Sequence, residues 1–513
     1  MANYYISSFF WSTLSKVLTA IIGFISIPLL LGYYGKAEYG ILSIATACNG
    51  YMHLLDLGMN TGSVRFFSQW KTQGYIDKIY RVARTNITFY CFVSFINIIG
   101  LLALAVWGEG VFSVSHEQFC LLQKCLFVIA MFNVFSWGTT TFNQLLIADN
   151  QMPFTMQIQC IITLLKALVI GLVFLLNLTL VSYFFCITAI VALAIIPYAY
   201  KCKKDRLIDS FKLSWYWDEF KIVLMFSLSI FSLSIFQITA SQSRPIVLSV
   251  FAENGAELVA EYRILEVIPQ LIIMIGGAFS GIFLPKTTDL VVKNDKKLIS
   301  LFAKKWTTLT SVIVASFCFP CILCSKEIIY MYVGENYLHL SSWLMIWCFI
   351  VYLQMHATPC YSLIMSKGRN MSGLVALTAV SCILSIILNS ALCKTFFVGS
   401  TVIGYLFYVS VLMTTYYFVF YKKYLSLSRS QIILSFLKPT IVAIFISALV
   451  LLLFNAFYSI TFESSMNRFY YIGICVFKVF TWIILFYLIL YRLKIIDKSM
   501  FQKDKHKKSV KAD

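Results

Sequence analysis

The sequence predicts an all-α polytopic membrane protein with about fourteen transmembrane helices, and three observations predict it. The 513 residues are 60% hydrophobic and 12% charged, with mean hydropathy +0.82, whereas a soluble chain carries about 25% charged residues. The apolar residues fall in repeated runs of about 20, the length of a helix that crosses a bilayer. Basic residues collect between alternate runs. A β-barrel is disfavoured because its strands alternate apolar and polar positions. The first run is too long for a cleavable signal and lacks a clear small-residue cleavage site.

The elements follow in order. Runs 9–31 and 38–58 flank a short outer loop, and the basic segment 59–84 leads to 85–107. Runs 119–147, 156–176 and 180–200 precede the basic segment 201–221. Runs 221–250 and 264–284 flank a second short outer loop and lead to the basic segment 286–305. Runs 301–323, 340–365, 372–393, 397–421, 433–458 and 469–491 complete the set, followed by a basic tail, 492–513. Spans four, seven and ten are long enough to tilt or to extend past the membrane.

Charge orients these spans. With the N-terminus in the cytoplasm, 31 of the 41 Lys and Arg fall in cytoplasmic loops and the tail. Six fall outside (Lys36, Lys124, Arg263, Lys326, Lys394, Arg468) and four within spans (Lys16, Lys166, Arg244, Lys478). This asymmetry follows the positive-inside rule and places both termini in the cytoplasm. The net charge of +19 therefore encodes topology and gives no reason to expect a nucleic-acid partner. The tail is expected to be solvated and to touch anionic membrane lipid.

Enzyme and metal signatures are missing. There is no H-E-x-x-H, P-loop or G-x-S-x-G, so neither catalytic residues nor a bound metal is expected. Cys318, Cys321 and Cys324 read as small apolar packing residues. No loop is long enough to fold as a domain, which weighs against a membrane-embedded transferase or polymerase. The longest, 59–84, interleaves Phe66, Phe67, Trp70, Ile76 and Ile79 with Arg65, Lys71, Lys78 and Arg81, a pattern suited to a helix lying on the cytoplasmic interface.

Polar residues inside the spans carry most of the functional signal. Ser12, Lys16, Thr19, Gly23 and Ser26 follow helical steps on one face of span one. Thr46, Asn49, His53, Asp56 and Asn60 do the same in span two. Span seven carries Ser227, Ser234, Gln237, Ser241 and Arg244. Span eight begins with Arg263, Glu266 and Gln270 and continues through Gly277 and Gly281. In span five, Gln159, Thr163 and Lys166 form a stripe, with Lys166 about 15 Å into the span. Small residues on such faces serve helix packing, but ionisable ones belong in a water-filled cavity or in pairs. Lys478 has no such stripe and reads as lateral packing or lipid contact.

A short internal similarity relates two parts of the chain. PLLLGYYGKAEYGI (28–41) and PIVLSVFAENGAELVAEYRI (245–264) each run from a Pro through apolar residues and an outer loop to Ala-Glu-Tyr. An even number of spans separates them, as in a parallel repeat of two lobes. Pro28 and Pro245 are hinge candidates, because each frees a backbone carbonyl one turn earlier.

FISIPLLLGYYGKAEYGI (24–41) and LLDLGMNTGSVRFFSQW (54–70) resemble the start of Wzx-type polysaccharide and O-antigen flippases of the multidrug/oligosaccharidyl-lipid/polysaccharide (MOP) exporter superfamily. Arg244 departs from the family pattern, whose second-lobe motif often carries an acidic residue there. The resemblance implies two six-helix lobes around a central cavity, 1–200 and 201–425, with two further helices in 426–491. It implies a lipid-linked oligosaccharide substrate, undecaprenyl pyrophosphate in type, flipped across the bacterial inner membrane by alternating access for lipopolysaccharide or capsule synthesis. The polymerase and chain-length proteins of such a pathway are the expected partners. No cofactor is expected beyond H⁺ or Na⁺ coupling. On this reading Lys16, Arg244, Arg263 and Lys166 bind the anionic headgroup, while Asp56, His53 and Glu266 couple an ion or balance charge. A drug/cation antiporter of the same superfamily and, behind it, a polysaccharide polymerase are the alternatives.

Overall fold

A computed structural model describes residues 2–292, 295–367, 371–425, 427–458 and 468–495. The protein is helical throughout, with no strand among the described residues. Eleven described helices are long and apolar enough to cross a membrane, or twelve if a bent pair counts as one span. One of the eleven, the 50-residue Ser7–Asp56, carries two of the fourteen expected runs. The tail beyond residue 495 lies outside the described residues, as do the surroundings of Gly277 and Gly281 within their helix.

Packing divides the chain into two compact units. The first holds the described residues up to 264 together with 378–401, and the second holds 265–377 with the described residues from 402 onward.

The first unit begins with α1 (Ala2–Met52), which continues through Pro28 and breaks at Gly35, where φ is +78°. Only glycine adopts that conformation without strain, so spans one and two join end to end through a single residue. A 3-10 turn, His53–Asp56, follows, and Leu57 and Gly58 then take left-handed conformations. Span two is therefore shorter than the apolar run suggests. His53, Asp56 and Asn60 do not continue the face of Thr46 and Asn49, because the helix that the spacing assumed has ended. The segment 59–84 becomes α2 (Met59–Gln73) and the start of α3 (Ile76–Trp107). α2 does not simply lie on an interface: it buries Met59, Phe67 and Trp70 in a core with Tyr90, Trp137, Leu146 and Phe220. Its basic residues find partners, with Arg65 4.1 Å from the Phe226 ring centre and Lys71 paired with Asp149.

α4 (His116–Ala148), capped by Ser115 and Gln118, α5 (Met152–Leu176), α6 (Leu180–Leu193) and α7 (Ile195–Lys204) complete spans four to six. α8 (Trp217–Phe251) runs through Pro245 and bends by 63° between Ser229 and Ser234. Ser229 and Ser232 return their hydroxyls to the Met225 and Ser229 carbonyls at the bend, which weakens the local helical ladder. α9 (Gly255–Val292) starts in this unit. Gly40 sits so close to its first turn that a Cβ there would overlap the Ala256 carbonyl oxygen.

In the second unit, α10 (Lys296–Leu323) is followed by α11 (Ser325–Val333), a 3-10 stretch (Glu335–Leu340), α12 (Ser341–Met355) and α13 (Thr358–Lys367). α14 (Met371–Phe396) passes into the first unit, and α15 (Gly399–Thr415) returns to the second and continues into a π-helix, Tyr416–Tyr424. α16 (Arg429–Tyr458) and α17 (Arg468–Arg492) close the chain. Lys478 on α17 is not a lipid contact: its ammonium lies 2.5 Å from Glu327 Oε1, and each side chain is only 12% exposed. One turn on, Trp482 donates to Ser447 Oγ at 2.8 Å and stacks on Phe486.

Candidate functional site: a polar cavity in the first unit

Helices α1 and α5 run side by side in one register. Thr19 Oγ1 lies 3.3 Å from Thr163 Oγ1, the Tyr33 hydroxyl donates to Asn177 Oδ1, and the Tyr34 hydroxyl donates to the Leu178 carbonyl. Each pair is separated by 144 residues, so the helices are parallel and do not slip. The polar stripes of spans one and five thus meet. Lys166 stands level with residue 22 of α1, about 9 Å further along the helix axis than Lys16.

Lys166 enters a cavity of about 280 Å³, lined by Asn60 at the start of α2, by Ser136, Thr139, Thr140 and Asn143 of α4, by Gln159 of α5 and by Tyr198 of α7. Thr139 donates to the Phe135 carbonyl and Tyr198 to the Thr155 carbonyl. The side chains of Asn60, Ser136, Thr140, Asn143, Gln159 and Lys166 make no hydrogen bond or ion pair with any described residue. Among the described residues, no carboxylate lines the cavity. It therefore presents one ammonium and a set of uncommitted amides and hydroxyls among helices long and apolar enough to cross a membrane, a setting where unsatisfied polar groups are costly. The α4 contribution went unread in the sequence, although Ser136, Thr139, Thr140 and Asn143 recur at i, i+3, i+4 and i+7, the signature of one helical face.

Beside the cavity a buried polar chain organises the turn after α1. Tyr90 donates to Asp56 Oδ1 at 2.7 Å, Gln144 donates to the Tyr90 hydroxyl at 2.8 Å, and Asn86 donates to Gln144 Oε1 and to Ser63 Oγ. Asp56 Oδ2 accepts from the Asn60 backbone N–H at 3.2 Å. Both carboxylate oxygens are thus engaged, and Asp56 holds the start of α2, and with it Asn60, against the cavity. The His53 ring faces Trp137, which stacks on Tyr90.

The remaining candidates occupy other positions. Lys16 is exposed on α1, one turn from Thr19, and Arg244 is buried on α8. Arg263 is half-buried on α9, with its guanidinium 5.9 Å from the ring centre of Tyr262. Glu266, in the second unit, accepts from Gln270 at 3.2 Å. Pro28 and Pro245 lie inside unbroken helical stretches. Sequence reasoning passed over Lys36, which pairs with Glu257 and Glu261, and His356, buried in the second unit with its ring 2.7 Å from the Tyr417 hydroxyl. No group of three or more His, Cys, Asp or Glu among the described residues is placed to hold a metal ion.

A family model described as polysaccharide biosynthesis protein matches residues 6–281, more than half of the chain. The chain belongs to the polysaccharide biosynthesis protein family. No curated protein matches it, but solved structures do. A lipid II flippase MurJ in an inward closed conformation superposes with TM-score 0.69 at 13% identity, over 97% of this chain and 100% of that one. An inward-facing multidrug resistance MATE family transporter of the MOP superfamily superposes with TM-score 0.63 at 15% identity, over 79% of this chain and 94% of that one. At these identities the likeness is one of fold. The fold and the family agree with the resemblance of this polysaccharide biosynthesis protein to Wzx-type flippases.

Proposed function

We propose that this protein flips an undecaprenyl-pyrophosphate-linked oligosaccharide from the cytoplasmic to the outer leaflet of the bacterial inner membrane, for assembly of a surface polysaccharide such as O-antigen or capsule. The observation that carries the reading is the Lys166 cavity. A glycan headgroup leaving water must exchange its hydrogen bonds for new ones, and the uncommitted amides and hydroxyls offer them at membrane depth. The ammonium offers countercharge for an anionic cargo. A cationic drug would be repelled by that ammonium, and no described carboxylate lines the cavity to offset it.

In the proposed cycle the lobes 1–200 and 201–425 alternate access, and the helices of 426–491 flank them. Both termini are cytoplasmic. Lys16, Arg244 and Arg263 meet the pyrophosphate, and Asp56, His53 and Glu266 are the candidates for H⁺ or Na⁺ coupling. Catalysis is left to the glycosyltransferases and polymerase of the pathway. Deletion in the native host tests the reading. The expected result is loss of surface polysaccharide with accumulation of lipid-linked units inside. Unchanged polysaccharide combined with lost dye efflux would replace the reading with drug transport.

A further inference from the structure

The lining of the Lys166 cavity points to a more specific occupant, an inference that rests on the flippase reading. We propose that the cavity holds a single sugar ring of the cargo, with Lys166 on one anionic group attached to that ring, and that it does not hold the pyrophosphate as a whole.

The argument is one of matching donors to acceptors. A pyrophosphate presents only acceptor oxygens and several negative charges, so its site needs several cations and donors alone. Among the described residues, this cavity has one cation and no arginine. Its other uncommitted groups are the amides of Asn60, Asn143 and Gln159 and the hydroxyls of Ser136 and Thr140. Every one of these accepts as well as donates. Each could turn its donor towards a phosphate oxygen, but its acceptor would then go unused. They suit sugar hydroxyls, each of which also donates and accepts. The volume of about 280 Å³ falls just below the range of about 300–1,000 Å³ for drug-sized ligands, and accommodates one sugar ring. A single ammonium then balances a single charge, either that of the sugar-proximal phosphate of the linkage or that of an acidic substituent of the ring.

Saturation-transfer NMR on the purified full-length protein in nanodiscs tests this, with a neutral hexose, a hexose 1-phosphate, a hexuronate and inorganic pyrophosphate as probes. One or both charged sugars should bind about tenfold more tightly than the neutral hexose, and which one does so identifies the source of the charge. Lys166→Gln should reduce the charged sugar to the level of the neutral one. Asn143→Leu should weaken all three sugars, the neutral hexose included, in protein whose thermal unfolding is unchanged. Gln159→Ala serves in its place if that variant unfolds. Pyrophosphate binding as tightly as the hexose 1-phosphate, sugar binding indifferent to both substitutions, or no saturation by any sugar would overturn the proposal. Sugar binding by a protein that moves no lipid-linked oligosaccharide would keep this subsite and discard the flippase reading. Transport with a pyrophosphate-dominated cavity would do the reverse.

Discussion

The Lys36 ammonium lies 2.7 Å from Glu261 Oε1 and 3.5 Å from Glu257 Oε2. Lys36 immediately precedes the first Ala-Glu-Tyr, and Glu261 is the acid of the second. The two turns that the sequence relates to each other are therefore bonded to each other. Gly40 packs on Ala256 beside them, and the Ser113 backbone N–H donates to the Ser249 carbonyl at 2.7 Å from the next loop. The pair closes this end of the first unit.

Lys36→Met should lower stability by about 2 kcal/mol. Breaking a buried ion pair costs about 3–5 kcal/mol, discounted here because Lys36 is partly solvated. Lys36→Arg should retain most of the stability. A double-mutant cycle with Glu261→Gln, read by thermal unfolding, should show strong coupling, and additive effects would mean that the contact carries no energy.

Two glycines of α1 should respond in opposite directions. Gly40→Ala drives a methyl into the backbone of α9 and should reduce folded yield sharply. Gly23→Ala places its methyl where nothing lies within 4 Å, and should stabilise α1 by up to about 1 kcal/mol. Melting temperatures of the two purified variants test the contrast.

Tyr90→Phe should destabilise by about 1–3 kcal/mol, because Asp56 Oδ1 and the Gln144 amide each lose a partner in a buried setting. It should also loosen the turn that carries Asn60, which proteolysis at the 53–60 segment would detect as faster cleavage. A variant as resistant as the parent would show that the chain from Asp56 to Ser63 is not what fixes this turn.

Lys478→Met should cost about 3–5 kcal/mol by stranding Glu327, whereas Lys478→Met with Glu327→Leu should recover most of it. Thermal unfolding measures both. A double variant no better than the single would assign the loss to Lys478 packing against Phe454 and not to charge.

The sequence made the helical fold legible because each span has the apolar length a bilayer demands, and that signal is local. The site was legible only in part. Lys166 and its stripe stood out because a cation deep in a span is costly. The α4 stripe carries no charge and was lost among apolar neighbours. The end of span two was misread because Leu54, Leu55 and Leu57 sustain hydropathy through a turn whose left-handed Leu57 and Gly58 leave no hydropathic mark. The pairings of Lys36 with Glu261 and of Lys478 with Glu327 join residues far apart in sequence, and spacing along one helix is silent about them.

The central claim is that a lipid-linked oligosaccharide crosses the membrane through a path that uses Lys166. The direct measurement is transbilayer movement of an undecaprenyl-pyrophosphate-linked oligosaccharide in proteoliposomes, read as its exposure to a glycosidase added outside. The full-length protein should expose the inner-leaflet pool, and Lys166→Gln should slow exposure by about tenfold or more at equal reconstitution, with Lys166→Arg in between. No exposure by the parent protein, or equal rates for the parent and Lys166→Gln, would contradict the account.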